Sequence, residues 1–338
     1  MSSTAPAPRR APATQQDVAA AAGVSRGLVS LALKGEGRMS AETRQRILDA
    51  ASRLSYRTNT AAAELASRRS GRLAVIVPYL DNPFFDVVLR ALRRRAADAG
   101  FVLAAFVSDL TDRLEQATVD DVLSLRPEGL ILPGTSMSGE QLRELARQVP
   151  LVVMDRDLVS DTVSVVRLDE DDAARRIVDH LREQGLGQLV FFRPAPALHE
   201  ALVDERRTAC RVAARRAGMG FTSVVCQDGA SPALRRALRR VVAPFGAIAY
   251  NDVLALDVHT ALLSAGMRPG GDVALVSYDN SPLAGRQEFS LTSVDQSPDL
   301  LAAEAVAALL RPAGSPAVHR TVPAGLVVRS SSQVRAPA

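Results

Sequence analysis

The 338-residue sequence predicts an α/β protein in two parts, a small all-helical module at the N-terminus and a larger core of two subdomains built on parallel sheets. Three observations carry that expectation. Between Thr14 and Tyr56, capping residues and glycines cut the chain into three short helical segments. Beyond Arg72, short apolar runs alternate with helical stretches, the rhythm of parallel strands joined by right-handed crossovers. Charge divides at the same border. Residues 1–72 hold eleven arginines and Lys34 against Asp17, Glu36, Glu42, Asp49 and Glu64, a net +7 in a chain whose total is +4, which leaves the remainder net negative. Such asymmetry is expected where a small module meets a polyanion; a solvated basic face is the competing reading.

Residues 1–12 are Ser, Thr, Ala, Pro and Arg without apolar periodicity and read as a disordered tail. The helical module follows over 13–58. Its first helix runs near Gln16–Ala22 and stops at Gly23. Ser25 caps a second that runs to about Leu33, and Ser40 caps a third from Ala41 to about Leu54, with Lys34, Gly35, Glu36 and Gly37 as the loop between them. Residues 59–71 form a linker whose Ala-rich run, Asn59 to Ser67, is too short to hold a helix in isolation and needs a partner to fold.

In the core, strands are expected at Leu73–Val77, Phe101–Val107, Gly129–Leu132, Leu151–Met154, Val163–Leu168, Leu189–Phe192, Thr222–Cys226, Ala247–Tyr250 and Val273–Tyr278. Between them lie helices such as Phe84–Ala99, Ala173–Gln184, Asp204–Ala217, Pro232–Val242 and Val253–Ala265. So many strands exceed one comfortable sheet, and the chain divides into two similar subdomains joined near Asp169.

Several function classes fall away. No apolar run approaches the roughly 18 to 20 residues of a membrane-spanning helix, and Met1–Arg10 lacks the apolar stretch of a secretory signal, so a cytoplasmic protein is expected. Cys210 and Cys226 cannot build a disulfide framework and lack the companions of a zinc site, so neither metal nor cofactor is expected. Gly23-Val24-Ser25-Arg26-Gly27 spells the G-x-S-x-G of a hydrolase elbow, but an Ala-rich helix precedes it where a strand is required. His180, His199, His259 and His319 are scattered, and neither a phosphate-binding loop nor a dinucleotide fingerprint occurs. An enzyme is not expected.

The stretch from Asp17 to Ser30 has the layout of a helix-turn-helix. Val18, Ala22, Val24 and Val29 can pack two helices together, Gly23 permits the tight turn, and Ser25 opens the second helix. Its outer face, with Ser25, Arg26, Gly27 and Ser30, is then free to enter a major groove.

From about Thr14 to Ser330 the chain resembles the lactose-repressor/galactose-repressor family of transcriptional regulators. The resemblance rests on Asp17-Val18-Ala19 with Ala22-Gly23-Val24-Ser25, on Val29-Ser30, Ser40 with Thr43-Arg44, and Tyr56 with Asn59. In the core it rests on Asp81-Asn82-Pro83-Phe84-Phe85, Asn251-Asp252 and Tyr278-Asp279. It implies a helix-turn-helix headpiece, a hinge helix over 59–71, and a periplasmic-binding-protein-like effector and dimerisation domain over 72–338. The N-subdomain would take about 72–168 and 296–320, the C-subdomain about 169–295 and 321–332. It further implies a dimeric repressor on a palindromic DNA operator. Thr14, Ser25, Lys34, Arg38, Ser40 and Asn59 would touch phosphates or groove edges, while Arg26 and Gly27 occupy the base-reading positions. Ala62 and Leu65 match the hinge helix, in which a leucine from each subunit wedges a minor-groove step open. Gly27, Leu28 and Leu31 depart from the family pattern, so operator preference is not transferable. The C-terminus lacks heptads, and a dimer is the expected assembly.

The same resemblance points to a small-molecule effector, carbohydrate-like, between the subdomains, with Asp81, Phe84 and Phe85 on one wall and Asp155, Arg206, Asn251 and Asp279 from other strand ends. Arginine could fork to hydroxyls, carboxylates accept from them, and phenyl rings stack on an apolar face. Each has a plainer reading: Asp155 with Arg156 and Asp157 as a surface ion-pair cluster, Asn251-Asp252 as a helix cap, Phe84-Phe85 as core. Glu170, Leu186 and Arg193-Pro194-Ala195-Pro196 depart from the family. Two other functions stand beside the regulator: a solute-binding protein without a DNA role, and a ligand-independent structural DNA-binding protein.

Overall fold

The computed structural model describes residues 13–33, 35–56, 69–108, 112–154, 156–195 and 200–334, and the chain divides into two compact units between Arg69 and Ser70. The expected tail over 1–12 and the 59–67 helix lie outside the described residues.

The first unit contains helices α1 (Gln15–Ala22), α2 (Arg26–Leu33) and α3 (Ala41–Arg53). Each begins where a side-chain oxygen satisfies an otherwise orphaned backbone N–H. Thr14 and Asp17 form a reciprocal capping box on α1, Ser25 Oγ accepts from Leu28 N at 3.3 Å, and Ser40 Oγ accepts from Thr43 N at 3.1 Å. Gly23 ends α1 with φ 64°, a left-handed conformation that costs glycine nothing, and Val24 N then reaches back to Ala19 O at 3.0 Å. Val18, Ala19, Ala22, Val29, Ala32, Ile47, Ala50 and Ala51 form the core, with Val24, Leu28, Leu33, Met39 and Tyr56 packed against it. Alanine at five of these eight core positions lets short helices approach closely, while the fully buried Val18, Val29 and Ile47 each contribute roughly 1.5–3 kcal/mol of burial. Two arginines staple the unit from outside: Arg46 Nε donates to Ala22 O at 3.1 Å and Arg44 Nη1 to Ala32 O at 3.3 Å, covering the carbonyl ends of α1 and α2.

The second unit is an α/β core. Its elements are β1 (Arg72–Val77), α4 (Pro83–Asp98), β2 (Val102–Val107), α5 (Asp112–Ser124), β3 (Leu130–Pro133), α6 (Gly139–Ala146), β4 (Leu151–Met154), β5 (Ser164–Leu168), α7 (Glu170–Glu183) and β6 (Gln188–Arg193). They continue through α8 (Glu200–Arg216), β7 (Gly220–Val225), α9 (Ala230–Ala237), β8 (Phe245–Ala249), α10 (Asp252–Ser264), β9 (Val273–Tyr278), β10 (Thr292–Asp295), α11 (Pro298–Leu309), β11 (His319–Val322) and β12 (Gly325–Val327). One six-stranded sheet has the order β11-β5-β4-β3-β1-β2, the other β12-β10-β9-β8-β6-β7, and every pairing is parallel except β12 against β10. Helices cover both faces of the first sheet, so the apolar alternation serves two cores. Leu73, Val75 and Val77 of β1 pack with α4 residues Phe84, Val88 and Leu92, whereas Ala74 and Ile76 pack with Val119, Val122, Leu142 and Leu145.

The sequence reading omits β10, β11 and β12. All three are short, and His319-Arg320-Thr321 are exposed on an edge, so they lack the apolar run that marks a buried strand. The expected strand at 247–250 instead begins at Phe245 and ends at Ala249, which places Tyr250 beyond the strand tip. The chain passes between the sheets after Leu168, between Asp295 and Pro298, and between Val322 and Gly325. The last passage falls later than the expected 320/321 boundary because Thr321 and Val322 pair with Arg167 and Leu168. The connectors are bonded to one another: Asp169 N donates to Val322 O at 2.8 Å and Ser297 Oγ to Pro323 O at 3.4 Å. Among the described residues no helix is long and apolar enough to cross a membrane.

Candidate nucleic-acid interface and effector cleft

On the helical unit, the outward face of α2 is polar. Arg26 and Gly27 are exposed in its first turn, Ser25 caps it from an exposed position, and Ser30 is half-buried one turn on. Ser25 Oγ accepts from Leu28 N and keeps its own proton to donate. Thr14 differs, since its hydroxyl already donates to Asp17 Oδ2 at 2.7 Å. Ser40 likewise donates to Thr43 Oγ1 at 2.9 Å, and Arg38 is exposed in the loop before it. At Gly27 a Cβ would meet only Ser25 Oγ, at 3.9 Å, so open space lies above it. Lys34, Asn59, Ala62 and Leu65 lie outside the described residues.

In the core, strand tips and helix starts from both sheets enclose a cavity, as open parallel sheets do at the carboxyl ends of their strands. Asn82, the N-cap of α4, accepts from Phe84 N at 3.0 Å through Oδ1 and turns its amide nitrogen inward. Phe84 and Phe85 on the same turn, Tyr79 and Gly134 complete that side. Opposite them stand Leu202 and Arg206 of α8, Tyr250 and Asn251 after β8, Asp279 after β9 and Gln296 after β10. The cavity measures about 20 Å³, room for a water molecule and far below the roughly 300–1,000 Å³ of ordinary ligand pockets, so a larger guest must part the walls.

Asp279 holds the walls together. Its Oδ2 accepts from Asn82 Nδ2 of the other subdomain at 2.9 Å, and its Oδ1 from Gln296 Nε2 at 2.6 Å. The backbone there is left-handed, φ 104°, a conformation an aspartate keeps only when its surroundings fix it; Asp279 N donates to Val294 O at 3.0 Å. Burial, reinforced by the nearby Asp252 carboxylate, pushes the Asp279 carboxyl up to about 7 against the pull of Arg206 and the two amides. Burial also raises Asp252, which is steadied by Ser277 Oγ at 2.5 Å, Ser293 Oγ at 2.8 Å and Ser281 N at 2.7 Å.

Arg206 is 2% exposed. Its Nε donates to Glu170 Oε1 at 3.0 Å and its Nη1 to Tyr250 O at 3.0 Å, while the guanidinium carbon lies 4.4 Å from the Tyr278 ring centre and 5.0 Å from that of Tyr250. Burial works against its charge, yet Glu170 foremost and then the surrounding tyrosines and Asp279 hold the guanidinium protonated above its usual range.

The structure thus brings Phe84, Phe85, Arg206, Asn251 and Asp279 to one cavity, the phenylalanines on one wall and the other three opposite. Asn251 also caps α10, accepting from Leu254 N at 2.9 Å, and Phe84 and Phe85 also belong to the core, so site and scaffold readings hold together at these positions. Asp81 is a correction: it is exposed and off the wall, because the chain turns into α4 at Asn82 and it is the cap that faces inward. Asp155 lies outside the described residues. Tyr79, Asn82, Gly134, Leu202, Tyr250 and Gln296 were missed, as was Glu170 behind Arg206. Asn82-Pro83, a cap followed by proline at the first helical position, was the available signal for one of them. Among the described residues no group of three or more His, Cys, Asp or Glu could hold a metal ion.

Comparison with known proteins agrees with both halves. Residues 14–59 match the bacterial regulatory proteins of the lacI family, and residues 178–332 match a periplasmic binding protein-like domain. The HTH-type transcriptional regulator PtxS of Pseudomonas plecoglossicida is 30% identical over 336 residues, spanning 95% of this chain and 96% of that one. The ribose operon repressor of Halalkalibacterium halodurans is 27% identical over 292 residues, 84% of this chain and 85% of that one. In fold, the chain matches the lac repressor dimer bound to operator and the anti-inducer ONPF with a TM-score of 0.78 at 22% identity, over 96% of this chain and 100% of that one. The chain therefore belongs to the lacI family of bacterial regulatory proteins and is a DNA-binding transcriptional regulator, not an enzyme.

Proposed function

We propose that the protein is a cytoplasmic repressor that grips a palindromic operator as a homodimer and changes that grip when a carbohydrate-like effector enters the cleft at Asp279. Residues 13–58 serve as the reading head, 59–71 as the hinge, and 72–338 as the effector and dimerisation domain. The observation that carries the effector half is the Asn82–Asp279 hydrogen bond, which ties one subdomain to the other across a cavity lined by aromatic rings and amides. A ligand that bonds Asp279 competes with that tie, so occupancy and subdomain arrangement are linked, and the bias on DNA is at most the ligand's differential affinity for the two arrangements.

On the DNA side, Arg26 is exposed at the start of α2 and reads a base edge, while Ser25, Arg38 and Ser40 set register on phosphates, joined by Thr14 through its backbone surroundings. Lys34, Asn59, Ala62 and Leu65 take the roles the family pattern gives them. In the cleft, Arg206, Asn251 and Asp279 meet hydroxyls, and Phe84 and Phe85 meet the apolar face of the ligand. That a ribose operon repressor and an operator-bound repressor dimer are among the similar proteins supports the sugar and the dimer.

A mobility-shift titration of the full-length protein on its own upstream DNA, with a panel of pentoses and hexoses, tests the reading. Sequence-specific binding altered by at least one sugar is expected, with binding that weakens steeply as salt rises. Specific binding indifferent to every small molecule would favour the structural DNA-binding alternative.

A further inference from the structure

The charge balance behind the cleft says what kind of effector it takes. Among the described residues on the cavity wall, Arg206 is the one cation. A guanidinium so placed would ordinarily invite a carboxylate or phosphate. Here that demand is already met from behind: Glu170, itself 4% exposed, accepts from Arg206 Nε at 3.0 Å. Among the described residues on the wall the one carboxyl is Asp279, with Asp252 close enough to reinforce its upward shift. The unmet demand is of the opposite kind. Gln296 is 1% exposed, its amide nitrogen is committed to Asp279, and its Oε1 accepts from no described residue. A buried acceptor oxygen calls for an O–H or N–H donor, which a hydroxyl supplies and an ionised acid group does not.

We propose that Glu170 is a positioning residue that neutralises Arg206 and so sets the cleft for uncharged polyols over sugar acids and sugar phosphates. The assignment rests on the cleft being the effector site. An acid entering it would have to displace a buried carboxylate from its partner or lie among carboxyls with its own charge uncompensated, whereas a neutral hydroxyl can accept from Arg206 and donate to Gln296 or Asp279 without disturbing the pair.

The test uses calorimetric titration and thermal shift on the full-length wild type, Glu170→Gln and Glu170→Asp. The probes are ribose with ribonate, xylose with xylonate, glucose with gluconate, and sulfate as a bare dianion, against sodium chloride of equal ionic strength. In the wild type, any pair that binds should favour the neutral member, and sulfate should stabilise no more than chloride. Glu170→Gln should shift the acid-to-neutral ratio, and its response to sulfate, by about tenfold toward the anion, and Glu170→Asp should restore the wild-type preference, which general damage to the fold would not do. A wild type that binds any acid as tightly as its neutral partner overturns the assignment, as does a folded Glu170→Gln protein with no gain for sulfate. If Glu170→Gln does not fold, the wild-type ratios and sulfate response decide alone. Failure of the effector reading looks different: no sugar binds or alters operator binding, while sulfate still separates Glu170→Gln from wild type.

Discussion

Arginine does opposite jobs in the two units of this molecule. In the reading head Arg26 is exposed at the start of a helix, ready for a polyanion that arrives from solvent. In the core Arg206 is buried, ion-paired, bonded to a carbonyl and flanked by two tyrosine rings. The difference is solvation. An exposed guanidinium keeps its hydration until a phosphate replaces it, so its energy appears as affinity. A buried one must be satisfied when the chain folds, so its energy appears as stability, and what it offers a ligand depends on what its partner leaves over.

Exchanging the two side chains for alanine should separate these currencies most widely. Arg206→Ala leaves Glu170 buried beside a cavity and should lower unfolding free energy by about 3–5 kcal/mol in chemical denaturation. Arg26→Ala should change stability by less than about 0.5 kcal/mol yet weaken specific operator binding by about 1–3 kcal/mol in a mobility-shift titration. Equal stability losses would break the comparison.

A smaller effect follows from Asp279. Its carboxyl titrates near 7 when folded and near 3.8 when unfolded, so the folded state holds the proton more tightly. That contribution is complete below about pH 4, falls as pH rises toward 7, and is flat above. Melting temperature against pH should therefore decline over that window in the wild type, and the decline should be shallower in Asp279→Asn. Parallel profiles would show that the bridge is not the titrating element.

The smallest change sharpens the reading-head side. Gly27 is helical and its missing Cβ would point into open space, so Gly27→Ala should stabilise α2 by up to about 1 kcal/mol, readable in thermal unfolding of the full-length protein. If Gly27 faces a base, as the family resemblance implies, operator selectivity at that base should shift with the added methyl.

How much of this the residues announce in advance follows from how far each interaction reaches along the chain. The reading head is built from contacts between near neighbours: Thr14 with Asp17, Ser25 with Leu28, Ser40 with Thr43, Gly23 with its own helix. Its helices were accordingly legible to within a residue or so, and the parallel core was legible from the long alternation. The cleft is built from Asn82 with Asp279 and Arg206 with Tyr250, pairs far apart in sequence, so strand tips such as Tyr250 and Gln296 carried no local mark. At Asp81-Asn82 the motif marked the right turn and the wrong side chain, because only the helix geometry decides which of the two faces inward. Glu170 registered as a departure from a pattern, and its meaning emerged only once Arg206 stood 3.0 Å away.

The passages between the sheets have a mechanical consequence. One tether would let the halves of the core twist, slide or swing. Here three run side by side and are laced together, Asp169 to Val322 and Ser297 to Pro323, so sliding and torsion would tear hydrogen bonds while a shared bend strains only a few backbone angles. A bend shared by the three passages is then the least costly motion of the core, like a book on its spine, and whatever parts the walls at Asp279 draws on that spine first.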